Sequence, residues 1–414
     1  NARENFIDLA ERKESVLRLA RLISYQSQRN TAGSGFLKIL SVTTTQDVFD
    51  SNGQNIANTP ILWNDLTNDN WEDQFNAVLN AALPRNQFIN KPELSATISG
   101  IASQLYRING ANLDVPIVPF SQNINGINMP FEIVPCSFAN ESFIYEEAPI
   151  PGNSMTLLYR NDSRGFGSNN TGYFFHFRQG SLNSQDFSIT NTAPNTVVSI
   201  QENNINNDDV FLYKLDQNGI IDQRWTKVPA IVGNNIIYNQ LANNILNQFA
   251  VVTKTNDQID LVFSDGVYGT LPQGNFRCYF RQSNGLTYNI NTTDMQNIQV
   301  SLDYVSKNGQ TNTLTFSASL QSSVTNAARS QSVQEIKTQA PQSYYTNDRA
   351  ISAEDYQILP LTKNQSIAKV KSQVRSSSGV SRFLDVLDPT GVYSPVNVVS
   401  DDGYLYQEEG TQTF

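Results

Sequence analysis

Ile259-Asp-Leu-Val-Phe-Ser-Asp-Gly-Val-Tyr-Gly-Thr-Leu-Pro-Gln-Gly-Asn-Phe-Arg-Cys-Tyr-Phe-Arg-Gln-Ser-Asn-Gly285 is the stretch that decides the fold class. Its two apolar runs, Ile259–Phe263 and Phe276–Arg281, are short and rich in β-branched and aromatic residues. Asp265-Gly266 follows the first and Asn284-Gly285 the second, and both dipeptides tolerate a positive φ. Short runs of this composition between turn residues read as strands. Asp265-Gly266 therefore predicts a hairpin turn.

The same texture extends outward from about residue 86 to 330. Val115–Phe120, Phe131–Val134, Gly172–Phe177, Thr196–Ile200, Val210–Leu215, Ile298–Val305 and Thr313–Leu320 repeat it, with Asn218-Gly219 and Asn308-Gly309 as further hairpin signals. Regular short strands with such punctuation imply β-sandwich or barrel-like domains.

The flanks change period. Phe6, Leu9, Lys13, Val16, Ala20 and Ile23 recur at helical spacing, widened by Ala10, Leu17 and Leu19, and predict a helix over 4–24. Its opposite face carries Glu11, Arg12, Glu14, Arg18 and Arg21, with Glu14 and Arg18 as an i,i+4 pair. Such a helix caps either the next domain or a neighbouring subunit. Gly33-Ser-Gly35 breaks the pattern, Phe36–Val42 alternates as a strand, and a second helix spans about 70–83 before Pro84. Beyond 330, Ser332…Glu335 and Ser352…Asp355 have capping-box spacing, so two helices start there. Pro341 is expected to stop the first, leaving an extended link with Tyr344 and Tyr345 before the second. Ile367–Val374 reads as a strand, and 376–414 as a tail rich in Ser, Asp, Gly and Tyr. The expectation is an α+β, mainly β multidomain chain with an N-terminal helix and a C-terminal helix-strand module. Its expected divisions are 1–85, 86–160, 161–330, 331–375 and 376–414.

Composition narrows the function. The chain has 414 residues, enough for about two to four domains. Its 22 Phe and 17 Tyr furnish a core, while charged residues make up only 16% and the net charge is −10. So few Lys and Arg release few counterions from phosphates, which disfavours nucleic acid. One His and two Cys fall short of a structural zinc set, so no metal is expected. Cys136 and Cys278 read as free and buried. No apolar run reaches the length of a membrane span, and the start at Asn1, with no Met or leader pattern, reads as the cut end of a fragment.

Chemistry is sparse. His176 lies in the alternating Tyr173–Arg178 run, with Phe175 and Phe177 on the opposite face. No nucleophile motif accompanies it, so it reads as a solvated or hydrogen-bonded strand residue. Glu146-Glu147, Asp208-Asp209, Asp401-Asp402 and Glu408-Glu409 are adjacent acids. Neighbours on a strand face opposite ways, so these read as solvated loop charges rather than a glycosidase pair. Asp216–Asp222 lacks calcium-loop spacing and reads as a turn. No phosphate cradle is present. A non-enzyme without cofactor or small-molecule substrate is expected.

Three segments carry a family resemblance. Glu4–Tyr25 is similar to "ExFxxTAxxRxSVxxLAxxxGY", with Leu9 for Thr and Ser24 for Gly. Phe263–Gly274, with Tyr279–Arg281 and Gly285–Asn289, is similar to "FGDGxxGxxPxxG…YRxxxGxxGN", with Ser264 for Gly. Ala340-Pro341, Arg349–Ile351 and Asp355-Tyr356 match "APxxxxTxxRAVTxxDY". All three resemble the baseplate wedge proteins of contractile-tailed, T-even-like phages, the baseplate J-like group. Ser381–Gly391 and Asp401–Tyr406 are similar to structural proteins of marine phages of that kind. The resemblance implies a virion subunit, assembled in the host cytoplasm, that contacts copies of itself and other wedge or hub proteins. Six wedges would ring the tail hub and take part in triggering sheath contraction. It makes residues 332–358 a hinge candidate. Arg12, Arg18, Pro341, Tyr344, Tyr345, Arg349, Asp355 and Tyr356 are the interface or hinge candidates, with Arg349 and Asp355 alternatively paired within the module. The rival reading is a tail-fibre or adhesin-type host-binding module.

Overall fold

The computed structural model describes residues 2–111, 115–139, 143–152, 154–229, 231, 246–267, 269–346, 349–363, 367 and 369–372. It is mainly β, with several sheets and helices toward both ends.

The N-terminal helix is shorter than its periodicity. A 3-10 turn at Ala2–Asn5 precedes α1 (Lys13–Leu22), because the Glu4 carboxylate accepts the Glu11 amide and folds the chain back. Ser24, at φ 62°, ends α1. The Tyr25 amide returns to Ala20 O and the Ser24 amide to Arg21 O, the paired bonds of a Schellman end. That position favours glycine, which is what the resembling motif carries there.

β1 (Ser34–Thr44), β2 (Ile61–Leu62), α2 (Trp71–Ala82), β3 (Leu94–Ile98), β4 (Ile101–Ile108), β5 (Val118–Ile124) and β6 (Ile127–Val134) build the first unit. The small hairpin of β7 (Cys136–Ala139) and β8 (Phe143–Glu146) and then β9 (Met155–Asn161) and β10 (Gly172–Gln179) continue it. β11 (Ser181–Ile189), β12 (Val197–Ile200), β13 (Ile205–Leu215), β14 (Ile221–Val228), β15 (Gln248–Thr253), β16 (Ile259–Phe263) and β17 (Gly274–Gln282) form a second sheet. β18 (Ile298–Val305) and β19 (Thr311–Leu320) then return to the first.

The first sheet runs β18-β19-β1-β10-β9-β4-β3, and β10 also pairs with β6, which carries β5. β5 approaches β18, so this sheet curls toward closure. Its interior holds Phe131, Phe175, Phe177, Tyr304 and Phe316, and α2 covers it with Trp71, Phe75, Val78 and Leu79. The second sheet runs β11-β17-β13-β14-β15-β16-β12 around Trp225, Phe249, Phe263 and Phe276. β14 and β15 pair in parallel, and most of the residues between them lie outside the described set.

This topology redraws the expected divisions. Residues 181–282 are an insertion between β10 and β18, so β10, β18 and β19 belong with β1 rather than with the second unit. The reason is long-range pairing: β19 lies against β1, register Leu37 to Leu320, across a gap that local periodicity does not encode. The Asp265-Gly266 hairpin is also overturned. β16 pairs with β15 and β12, and β17 with β11 and β13, so the glycine segment joins strands that do not pair, although the Phe263 and Phe276 rings meet with centroids 5.8 Å apart. Asn284-Gly285 likewise leads out of the second unit. Asn218-Gly219 does close β13 on β14, where Asp216 Oδ1 accepts the Asn218 and Ile220 amides, and Asn308-Gly309 closes β18 on β19.

At the other end, α3 (Val333–Thr346) runs through Pro341 instead of stopping there, and α4 (Ala353–Lys363) contains Pro360. Proline forfeits one i→i−4 bond and crowds the preceding turn. Ile336 and Ala340, packed against α1, hold α3 across that defect. The expected extended link therefore shrinks to the few residues between Thr346 and Ala353, of which 347–348 lie outside the described set. No strand forms over the described residues 367 and 369–372; the rest of 367–374, and 376–414 with its acid pairs, lie outside that set. No described helix is long and apolar enough to cross a membrane. Cys136 and Cys278 are free and buried, and burial pushes both thiols up to about 12.

Candidate functional site

Three structural parts meet along Tyr25–Gly33, a polar segment between α1 and β1. Arg29 is buried in the second unit, where Nε donates to Ile205 O, Nη2 to the Asn206 and Asn207 carbonyls, and Nη1 to Thr253 Oγ1. Burial lowers its pKa to about 10, against the pull of Asp257, Asp208 and Asp209. Asn30, also buried, donates to Asn206 Oδ1 and to Ser283 Oγ at 2.6 Å, and its carbonyl accepts the Asn207 amide. Thr31 bridges Ala328, Gly33 O accepts the Gln179 amide, and Gln28 Nε2 donates to Thr362 O in α4. This strap ties helices, inserted unit and first sheet together. Composition alone marks Gln-Ser-Gln-Arg-Asn as an exposed loop, and the sequence carries no local signal of its burial.

Beneath the strap, five charged side chains from five strands form an ionic junction. Arg281 on β17 is fully buried. Its Nε contacts Glu132 on β6 at 3.0 Å, its Nη1 and Nη2 grip Glu146 on β8 at 2.9 and 2.8 Å, and Nη1 lies 3.3 Å from Asp209 on β13. Arg178 on β10 donates from Nε to Glu146 at 2.9 Å and lies 3.5 Å from Asp209. Burial alone would depress Arg281, but Glu146, Asp209 and Glu132 outweigh it and hold its pKa raised. Burial would likewise raise Asp209; Arg178 and Arg281 overcome it and hold this carboxyl at about 2. Glu132 responds the other way: burial dominates and lifts it despite Arg281. The Leu182 amide donates to Glu132 at 2.6 Å, anchoring the start of the inserted unit to β6.

These contacts correct the reading of adjacent acids as solvated loop charges. Glu146 faces the two guanidiniums, whereas Glu147 faces Arg107 at 2.7 Å. Asp209 is buried while Asp208 bonds Asn207 at the surface. The opposite facing is the strand alternation expected, but the partners lie too far along the chain to be paired by sequence. His176 is corrected too. It is 6% exposed, Nδ1 meets no hydrogen-bond partner among the described residues, and the ring tilts over Phe36 with centroids 5.3 Å apart. Burial first, then Arg178 and Arg281, push its pKa down to about 3. The junction holds charges in place and presents no nucleophile. Among the described residues, no three His, Cys, Asp or Glu are grouped to hold a metal.

The predicted interface residues gather on the helices. α3 lies between α1 and α4, over a small core of Val16, Ala20, Tyr25, Ile336 and Ala340. α1 therefore packs on this chain's own α3, with Arg12 and Arg18 exposed. Tyr344 and Tyr345 are exposed, the latter at 83%, with ring centroids 6.3 Å apart; Tyr356 and Ile351 are exposed as well, and Pro341 is half-buried. Both capping boxes form: Glu335 accepts from the Ser332 amide and hydroxyl, and Asp355 accepts the Ser352 and Ile351 amides. Those backbone donors depress Asp355; Arg349 is exposed, contributes least to that shift, and makes no ion pair with Asp355. Asp355 thus serves its own helix start.

A family model described as a domain of unknown function (DUF8360) matches residues 35–323. The match spans both β units and leaves out α1, α3 and α4. No curated protein matches the sequence.

Proposed function

We propose that this chain, which belongs to that family of unknown function, is a non-enzymatic structural subunit of a large assembly and, on its sequence resemblance, a baseplate wedge component of a contractile phage tail. The observation that carries the proposal is the division of labour between two kinds of surface. The β units are fastened into one body by the strap and the ionic junction. Outside the family domain, Leu22 on α1, Tyr344 and Tyr345 on α3, Tyr356 on α4, and Phe6, Leu9 and Ile351 in the adjoining segments are exposed, while the β units expose single apolar side chains such as Leu66 and Val267. Adjacent exposed rings such as Tyr344 and Tyr345, with centroids 6.3 Å apart, suit an interaction site. Low charge and abundant aromatic residues suit permanent interfaces. On this reading the partners are further copies of the chain and other wedge or hub proteins, and the protein resides in the virion. Residues 332–358 serve as the joint when the ring changes diameter.

An electron-microscopic reconstruction of a contractile-tailed particle encoding this chain tests the proposal. Copies repeating around the tail axis in multiples of six support it. Density only in outward-projecting trimers sinks it in favour of a host-binding fibre.

A further inference from the structure

We infer that the junction between the two β units is an acid-sensitive latch: its closed form excludes a proton from His176, and acidification favours its opening. His176, the only histidine in the chain, sits on β10 two residues before Arg178, on the strand face that carries Phe174 and is covered by the β7–β8 hairpin. Burial and the two guanidiniums disfavour an imidazolium there, and Asp209 alone pulls the other way. β10 supplies Arg178 and β17 supplies Arg281. β6 supplies Glu132, β8 Glu146 and β13 Asp209, all three already committed to those guanidiniums. β7 supplies the neutral Cys136 thiol, β1 the Phe36 ring, and β9 Arg160, whose guanidinium lies 5.7 Å from that ring centre. Arg29 and Lys227 lie beyond Asp209. A third cation placed beside Arg178 and Arg281 has no free carboxylate to meet, so His176 accepts a proton only when these elements part.

The sign follows from linkage. His176 is held at about 3 against an ordinary 6.5, so the closed form has its full stability above 6.5 and loses it as pH falls. Glu132 acts in the opposite sense, because its raised pKa stabilises the closed form at low pH and is lost as pH rises through it. Acidification opens the junction only so far as the histidine contribution exceeds the glutamate one, and removing Glu132 separates the two. Asp209 contributes only below its ordinary 3.8. The His176 proton alone would raise the open population about 30-fold between pH 7.5 and 5.0, and Glu132 reduces that figure in the unsubstituted protein.

Amide hydrogen exchange on the full chain at those two pH values, corrected for intrinsic rates, tests this. The expected result is a protection loss of up to about 30-fold at Leu182 and in the β7–β8 hairpin, without a matching loss in α2. Glu132→Gln should enlarge it, since the opposing group is gone. His176→Gln should abolish it. Unchanged protection in the unsubstituted protein, an equal loss in α2, or a wild-type response in His176→Gln overturns the latch. Should His176→Gln not fold, the imidazole resonance of the unsubstituted protein decides. Silence down to pH 5 in the closed form supports the latch, and a midpoint near 6.5 in that form refutes it.

Discussion

The β body and the helical unit solve burial in opposite ways. In the body, charged and amide side chains are inside: Arg29, Asn30, Asp209 and Arg281 are all buried and bonded across elements far apart in sequence. In the helical unit, large apolar side chains are outside, and α4 has no fully buried apolar residue among those described. A helix normally buries an apolar stripe, so among the described residues α4 has not completed its packing. The body specifies how two β units fit, whereas the helices leave surface for something else. Substitutions in the two regions should therefore fail differently.

The largest effect is expected at the junction. Arg281→Leu leaves Glu132, Glu146 and Asp209 facing Arg178 alone, and breaking a buried ionic set by removing one partner costs about 3–5 kcal/mol. Urea denaturation at pH 7 measures it. A loss below about 1 kcal/mol would mean that the cluster is hydrated and does not clasp the units.

Next comes the strap. Arg29→Met keeps the apolar stem and removes the donors to three carbonyls and Thr253. Unpaired buried acceptors and a lost charged donor should cost about 2–3 kcal/mol. The same denaturation assay checks it, and a cost exceeding that of Arg281→Leu would make the strap, not the junction, the main tie.

How much of this contrast sequence carries depends on separation along the chain. β16 at Ile259–Phe263 and β18 at Ile298–Val305 begin and end where composition places them, and α2 starts one residue inside the expected span. Local alternation and turn chemistry suffice for those elements. They do not say that β19 pairs with β1, that residues 181–282 are inserted, or that Asp265-Gly266 joins strands that do not pair, because each depends on distant partners. The junction was hidden for the same reason: Glu146 and Arg281 are 135 positions apart, and an acid pair looks solvated until its guanidinium is placed. Pro341 misled in the other direction, since α1 packing holds a helix that local rules would end. Tyr344 and Tyr345, expected in an extended link, lie exposed on α3 instead.

The smallest effect on stability, and the sharpest test of the contrast, belongs to those tyrosines. Tyr344→Ser with Tyr345→Ser removes two exposed rings from α3, and surface changes away from caps and buried groups stay within about 0.5 kcal/mol each. The fold should be indifferent. Association should not be: if these rings are interface anchors, sedimentation velocity of the unsubstituted chain shows larger species growing with concentration, and the double variant stays small. Equal sedimentation with unchanged stability would remove the tyrosines from any contact between copies. A stability loss above about 1 kcal/mol would instead place them in this chain's own packing, and the helical unit would then differ from the β body only in degree.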